Sequence, residues 1–376
     1  MIEARRISRL LIALPSTRFG GTERHTAELA ARLAARTGME VHLAAEPALH
    51  PALAPRLGRG VALHAASIGW DGEAPPARRE SETRRLLDAL RPDAAFVPLP
   101  WPDAADAVLP VLAEAGLPRL VLLHLAPEAP PPASPSALGL EAAMVAAVSA
   151  PLARRAERAW GLAENSVVVL PNPAPPPPVA DRAGARVALR DALGLAPGAP
   201  LLLFVGRLEE AKGADLLPSI ADRLPATLAC AGDGPLRGFL HARAAGDPRG
   251  LLRMLGPVAD PSPWYLAADA LLMPSRLEGA PLVFLEAAAH GCPVVASAAA
   301  LEALGEEAPR MARIAESNDA RGIAEAAEGV LSAPESCAAM LARAAAFAAR
   351  QDWGRTVDSA LGLLRAAMLR AKGSTA

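Results

Sequence analysis

The chain is poor in cysteine, aromatic residues, net charge and long apolar runs, and each shortage removes a class of protein. Its three cysteines, Cys230, Cys292 and Cys337, lie far apart. They have neither the paired spacing of a zinc site nor the density of a disulfide framework, so a reduced, cytoplasmic setting is expected. Aromatic residues make up 3% of a chain that is 52% hydrophobic, and much of the apolar content is alanine. No apolar run reaches the roughly 18–20 residues of a membrane helix. Residues 142–153 come closest, and Ser149 and Pro151 interrupt them. A formal net charge of −2 supplies no field to draw the chain onto nucleic acid. An Asp-x-Asp metal motif is also missing, and neither a metal nor another cofactor is expected.

What is present is a repeated grammar. A length of 376 residues exceeds one ordinary core and fits two domains. Short apolar runs alternate with helical patterns, which is the signature of α/β architecture. Strands are expected at residues 7–14, 41–45, 94–97 and 120–123, with helices at 22–36, 81–90 and 151–160, and further elements at 141–148 and 167–170 close the first half. The first run faintly imitates a signal peptide. Glu3, Ser8, Arg9 and the lack of a small-residue cleavage site favour a strand. Residues 171–178 read Pro-Asn-Pro-Ala-Pro-Pro-Pro-Pro, a stiff extended stretch that continues neither a helix nor a central strand. A junction over residues 171–185 is expected to divide a domain at 1–170 from one at 186–352. In the second half, strands are expected at 201–205, 227–231, 270–273 and 294–296, with helices at 216–224 and 236–245. An amphipathic helix is expected from 353 to about 370.

The chemistry concentrates between Pro274 and Ala287, where Glu278 and Glu286 flank a glycine, a proline and an apolar run. Pro281 suits the first position of a helix, where its missing N–H is not needed. The free N–H groups of Leu282, Val283 and Phe284 would then form an anion site, with a carboxylate on either side. A phosphate between two hydroxyl acceptors suggests a nucleotide sugar. Earlier, Gly206-Arg207 follows a buried strand, where ligands bind in open α/β sheets, and Lys212 follows five residues later. The two cations suit a diphosphate, Arg207 as a fork of donors and Lys212 as a point charge. As isolated residues they read equally well as exposed loop cations. Gly232-Asp233-Gly234-Pro235 is a tight turn, and Val258 follows another, where it could pack against a nucleobase. In the first half, Gly20-Gly21 opens a helix after the first strand, and His124 ends another strand at the same sheet edge. Glycines there permit close approach of backbone to a phosphate, although a plain turn explains them as well.

Together these segments resemble the GT4 (group 1) retaining glycosyltransferases, which have the GT-B fold of two Rossmann-like domains facing each other across a cleft. The resemblance spans nearly the whole chain. It rests on Gly20-Gly21-Thr22-Glu23, on Gly206-Arg207-Leu208 with Lys212-Gly213, on Gly232 to Pro235, and above all on Pro274 to Ser297. It implies that Arg207 and Lys212 neutralise the donor diphosphate as it leaves. Glu278 would contact hydroxyls of the transferred sugar and Glu286 the ribose. Backbone of Gly279, Ala280, Leu282 and Val283 would serve sugar and phosphate, with Gly20 and Gly21 approaching the donor from the first domain. His124 matches the family's histidine beside the reacting carbon, so the resemblance implies catalytic roles for His124, Arg207, Lys212 and Glu278. The terminal helix would cross back onto the first domain. The junction departs from the family's Pro-Asn-Gly-Val-Asp, since the glycine and the acid are absent, and Leu57 to Pro76 matches nothing familiar.

The expected partners are a UDP- or GDP-sugar, a sugar or lipid-linked sugar acceptor, and no nucleic acid. The setting implied is polysaccharide or glycoconjugate synthesis in the cytoplasm, with weak peripheral contact at the inner membrane face. Three alternatives stay open: a glycoside hydrolase built on two carboxylates, a GT-B epimerase or phosphorylase, and a non-catalytic nucleotide-sugar binder. On the acceptor side, Trp101 follows a strand and is either a stacking platform or a packing residue. Arg154, Arg155 and Arg158 form a basic group that reads as a solvated helix face or a docking patch.

Overall fold

The computed structural model describes residues 6–126, 138–178 and 181–373. The chain divides into two compact units, Met1–Asn172 with Gly354–Ala376, and Pro173–Trp353.

The first unit is built on a seven-stranded sheet. Its strands are β1 (Arg9–Ala13), β2 (Glu40–Ala45), β3 (Val61–Ala65), β4 (Ala94–Leu99), β5 (Arg119–Leu123), β6 (Met144–Ala147) and β7 (Val168–Val169). They lie in the order β3-β2-β1-β4-β5-β6-β7, and every pairing is parallel. A parallel sheet is covered on both faces, so its central strands need apolar side chains at every position. Leu10, Leu11, Ile12 and Ala13 in β1 and all six residues of β4 are buried accordingly. The terminal helix, Trp353–Gly373, buries Val357, Leu361, Leu364 and Met368 along one stripe. Arg36 meets Asp358 at 2.7 Å, and the Arg370 guanidinium donates to the Ala143 carbonyl at 3.3 Å.

The second unit has a six-stranded sheet. Its strands are β8 (Leu201–Val205), β9 (Thr227–Ala231), β10 (Leu252–Gly256), β11 (Ala270–Met273), β12 (Val294–Ala296) and β13 (Arg313–Ile314). The order is β10-β9-β8-β11-β12-β13, again all parallel. Alternate residues of one strand feed two cores. Leu202 and Phe204 pack with Ile323, Ala327 and Val330 on one face, while Leu201 and Leu203 pack with Phe284, Ala287 and Ala288 on the other.

Three strands escape the sequence reading: β3, β10 and β13. All three lie at sheet edges. An edge strand is half covered and carries no continuous apolar run, and no residue of β3 is fully buried. The expected helix at 81–90 begins earlier, at Pro76, and the one at 216–224 contracts to Leu217–Ala221. Among the described residues, no helix is long and apolar enough to cross a membrane.

Candidate active site

In both sheets the strand order reverses beside the first strand of the unit, at β1/β4 and at β8/β11. Crossovers leave on opposite faces at such a point and open a crevice at the carboxyl ends of the strands. In the second unit, β8 runs into the Gly206–Lys212 loop and β11 into the Pro274–Pro281 loop. The two richest motifs therefore share one edge because β8 and β11 are neighbours.

Glycines hold these loops in contact. A Cβ on Gly232, at φ +147°, would sit 1.8 Å from the Gly206 carbonyl oxygen. A Cβ on Gly213, at φ +68°, would sit 2.2 Å from that of Pro274. No larger residue fits either place, so the turn carrying Lys212 lies directly against the start of the Glu278 loop. The Arg276 amide donates to the Ala211 carbonyl at 2.8 Å, and its guanidinium grips both oxygens of Asp215 at 2.7 and 2.8 Å.

Lys212 Nζ reaches Glu278 Oε2 at 2.7 Å, and both side chains are largely covered, at 21% and 10% exposed. The Ser275 hydroxyl donates to Glu278 Oε1 at 2.9 Å, and the Ser275 carbonyl in turn accepts from the Ser297 hydroxyl. Arg207 is exposed and pairs with Glu209 at 2.9 Å. The two loop cations thus face different carboxylates, each held in its place by an ion pair.

The Leu282–Ala289 helix starts one residue later than its proline suggests. Pro281, at φ −71° and ψ 119°, is extended and occupies the capping position ahead of the first turn. The proline ring fixes φ but not ψ, so it fits either position. The first-turn N–H groups are still those of Leu282, Val283 and Phe284, with Leu282 and Val283 half-buried. Gly279 is buried and Ala280 half-buried before them. Glu286 lies in the second turn, 7% exposed, and its Oε2 accepts a 2.7 Å hydrogen bond from the Tyr265 hydroxyl. Val258 is half-buried just past β10, where the Gly256 carbonyl accepts from the Gly232 amide at 2.8 Å.

In the first unit, Gly20 is the extended cap of the Gly21–Thr37 helix. Gly20 is half-buried and Gly21 exposed. That helix buries Glu23 and His25. His124 is the first residue past β5, and its amide continues the sheet by donating to the Leu99 carbonyl at 2.9 Å. The His25 and His124 rings meet edge to face, with centroids 5.2 Å apart. Burial pushes His25 down to about 4, and the Arg24 charge adds to this. His124 is driven well below its ordinary value by burial and then by His25. Both imidazoles are therefore neutral near pH 7. His124 Nε2 is buried and meets no hydrogen-bond partner among the described residues.

One sequence expectation changes here. Arg155 is not part of a surface patch: it is buried and donates to the Ala126 carbonyl at 3.1 Å, leaving Arg154 and Arg158 exposed. It lies on the inner side of an amphipathic helix, where the backbone carbonyl satisfies it. Trp101 is half-buried. Of the segment His124-Leu125-Ala126-Pro127-Glu128, which matches the family's histidine motif only loosely, Pro127 and Glu128 lie outside the described residues. Three site-lining side chains were not singled out from sequence: His25, Tyr265 and Ser275. His25 follows the Gly20-Gly21-Thr22-Glu23 motif by two residues, which is a usable signal. Tyr265 and Ser275 carry none, because their partners are identified only by the fold.

A model of the group 1 glycosyl transferases matches residues 199–333, and a glycosyltransferase family 4 model matches residues 19–176. Among curated proteins, the chain is 35% identical to a D-inositol 3-phosphate glycosyltransferase of Geodermatophilus obscurus, over 49% of this chain and 44% of that protein. The chain thus spans under half the length of this relative. Among solved structures, a glycosyltransferase of Rickettsia africae superposes with a TM-score of 0.78 at 14% identity, covering 96% of this chain and 99% of the other. HepE of Anabaena, solved with UDP and glucose, superposes with a TM-score of 0.74 at 18% identity, covering 96% and 100%. Both share the two parallel-sheet, Rossmann-like units of the GT-B fold. With one family model on each unit and that fold across nearly its whole length, the chain belongs to the GT4-type, group 1 glycosyltransferases.

Proposed function

We propose that the protein transfers a sugar from a nucleotide diphosphate sugar to an acceptor hydroxyl, with retention at the anomeric carbon. One observation carries this reading. Arg207 and Lys212 follow β8, while Glu278, the Leu282–Ala289 helix start and Glu286 follow the adjacent β11. That is an anion site bordered by hydroxyl acceptors. In this reading the helix N–H groups, Arg207 and Lys212 take up the charge that grows on the leaving diphosphate. Glu278, fixed on one oxygen by Ser275, faces the hydroxyls of the transferred sugar, and Glu286 the ribose. Gly279, Ala280 and Val258 line the donor, and Gly20 and Gly21 approach its phosphates. The neutral His124 beside the reacting carbon offers a hydrogen bond without a competing charge.

UDP is the first nucleotide to try, since the superposable HepE was solved with UDP-glucose as well as with UDP. The relatives named for inositol 3-phosphate support a small polyol or sugar acceptor. In this reading the acceptor is free or lipid-linked and the work is done in the cytoplasm. A thermal-shift screen against UDP-, GDP-, ADP- and dTDP-sugars tests the donor half. A ligand at a hundred times its dissociation constant stabilises by about 2.7 kcal/mol. No shift with any donor refutes the reading. Product without an added acceptor would instead indicate an epimerase, and a strict need for inorganic phosphate a phosphorylase. The anomeric proton coupling of the product tests retention.

A further inference from the structure

We propose that Tyr265, the one tyrosine of the chain, positions Glu286 and thereby sets the preference for a ribonucleotide donor. This rests on the assignment of Glu286 to the ribose. Tyr265 lies on the six-residue Ser262–Ala267 helix and is fully buried. Its hydroxyl donates to Glu286 Oε2 at 2.7 Å. Its ring leans on His290, with centroids 5.6 Å apart. The His290 ring nitrogen Nδ1 lies 2.7 Å from the Glu286 carbonyl oxygen. Glu286 is therefore held at its carboxylate by Tyr265 and at its backbone by a histidine that packs on the same ring.

The support is itself rigid. The buried Arg190 donates to the Ala267 carbonyl at 2.8 Å, and Arg182 spans the Ala268 carbonyl at 3.2 Å and the Gly291 carbonyl at 2.8 Å. The tyrosine helix and the end of the glutamate helix are thus clamped together. A glutamate has three rotatable bonds, and a diol is bound well only if the carboxylate already points at it. A short hydrogen bond to an ionised oxygen is among the stronger ones, and it takes one of about four acceptor positions. The hydroxyl of Tyr265 thereby orients the carboxylate towards the ribose.

The test compares UDP with 2′,3′-dideoxy-UDP by calorimetry in the native protein, Tyr265→Phe and Glu286→Ala, with GDP and ADP pairs replacing UDP if either binds more tightly. In the native protein the ribonucleotide should bind more tightly. Glu286→Ala should erase that preference. Tyr265→Phe should lower it about tenfold, by weakening the ribonucleotide and leaving the dideoxy form unchanged. A preference that survives Tyr265→Phe but not Glu286→Ala makes Tyr265 a packing residue and overturns the proposal. A preference that survives Glu286→Ala, or no nucleotide binding at all, refutes the underlying assignment and the proposal with it.

A second measurement avoids mutation. Because the chain has one tyrosine, biosynthetic 3-fluorotyrosine labels only position 265. Its fluorine resonance should move more on adding UDP than on adding the dideoxy form. Equal movement with both overturns the proposal.

Discussion

Charge is handled in opposite ways at the two sheet edges. Past β8 and β11 it is retained and paired, as Lys212 with Glu278, Arg207 with Glu209 and Arg276 with Asp215. Past β1 and β5 the imidazoles are instead discharged, because His25 and His124 are buried together and held neutral. Under the proposed function, an incoming diphosphate takes over cations that the unliganded protein keeps on its own carboxylates. A discharged imidazole pair instead offers hydrogen bonds that change little with pH above the ordinary histidine range. The glutamates follow the first pattern at finer scale, each with one oxygen fixed by a hydroxyl, Ser275 for Glu278 and Tyr265 for Glu286.

The strongest test of this contrast is Arg207→Ala with Lys212→Ala. Turnover should fall by about a thousandfold or more while the unfolding midpoint stays near native. Near-normal turnover would mean that the paired cations are not re-used on the leaving group. Gly232→Ala should come next, at about 3 kcal/mol or more in urea unfolding, because the new Cβ meets a main-chain oxygen at a positive φ. A native midpoint there would refute the claim that glycine contacts hold the charged loops together.

Within the neutral pair, His25 alone predicts a pH effect of about 3 kcal/mol. Burial holds the folded His25 at about 4, against an ordinary value near 6.5. As pH falls through that window, the unfolded chain takes up a proton that the folded chain refuses. The contribution is complete above about 6.5 and is lost progressively towards 4. His25→Gln should flatten this part of the pH–stability profile, and an identical profile would break the comparison. Glu286→Ala should weaken donor binding ten- to a hundredfold, or about 1.5–3 kcal/mol, by calorimetry. Ser275→Ala should have the smallest effect, about 1 kcal/mol or a several-fold loss of turnover, since Glu278 keeps its lysine. An effect as large as that of Glu286→Ala would show that the two glutamates are not held alike.

Much of this was legible in the chain. The central strands β1, β4, β8 and β11 are buried on both faces and must be apolar throughout, so they announce themselves. The Gly206-to-Lys212 and Pro274-to-Glu286 segments were equally plain, because each sets glycine, charged residues and a helix start at close spacing just past an apolar strand. The edge strands β3, β10 and β13 were not legible, being half covered and short. Pro281 was misplaced by one position because proline fixes φ and leaves ψ open. Arg155 was taken for a surface cation because sequence gives its helix face only through periodicity, and its carbonyl partner, Ala126, is 29 residues away.

The sequence by itself determined the α/β class, the family and the residue types of the loops past β8 and β11, since each depends on local pattern. The tertiary structure decided who stands beside whom: Lys212 on Glu278, Tyr265 on Glu286, and His25 against His124. Those pairs join residues 66, 21 and 99 positions apart. Hydrogen bonds and burial act over a few ångströms of space, and only the packing of β-strands and their crossover loops converts such separations into contact.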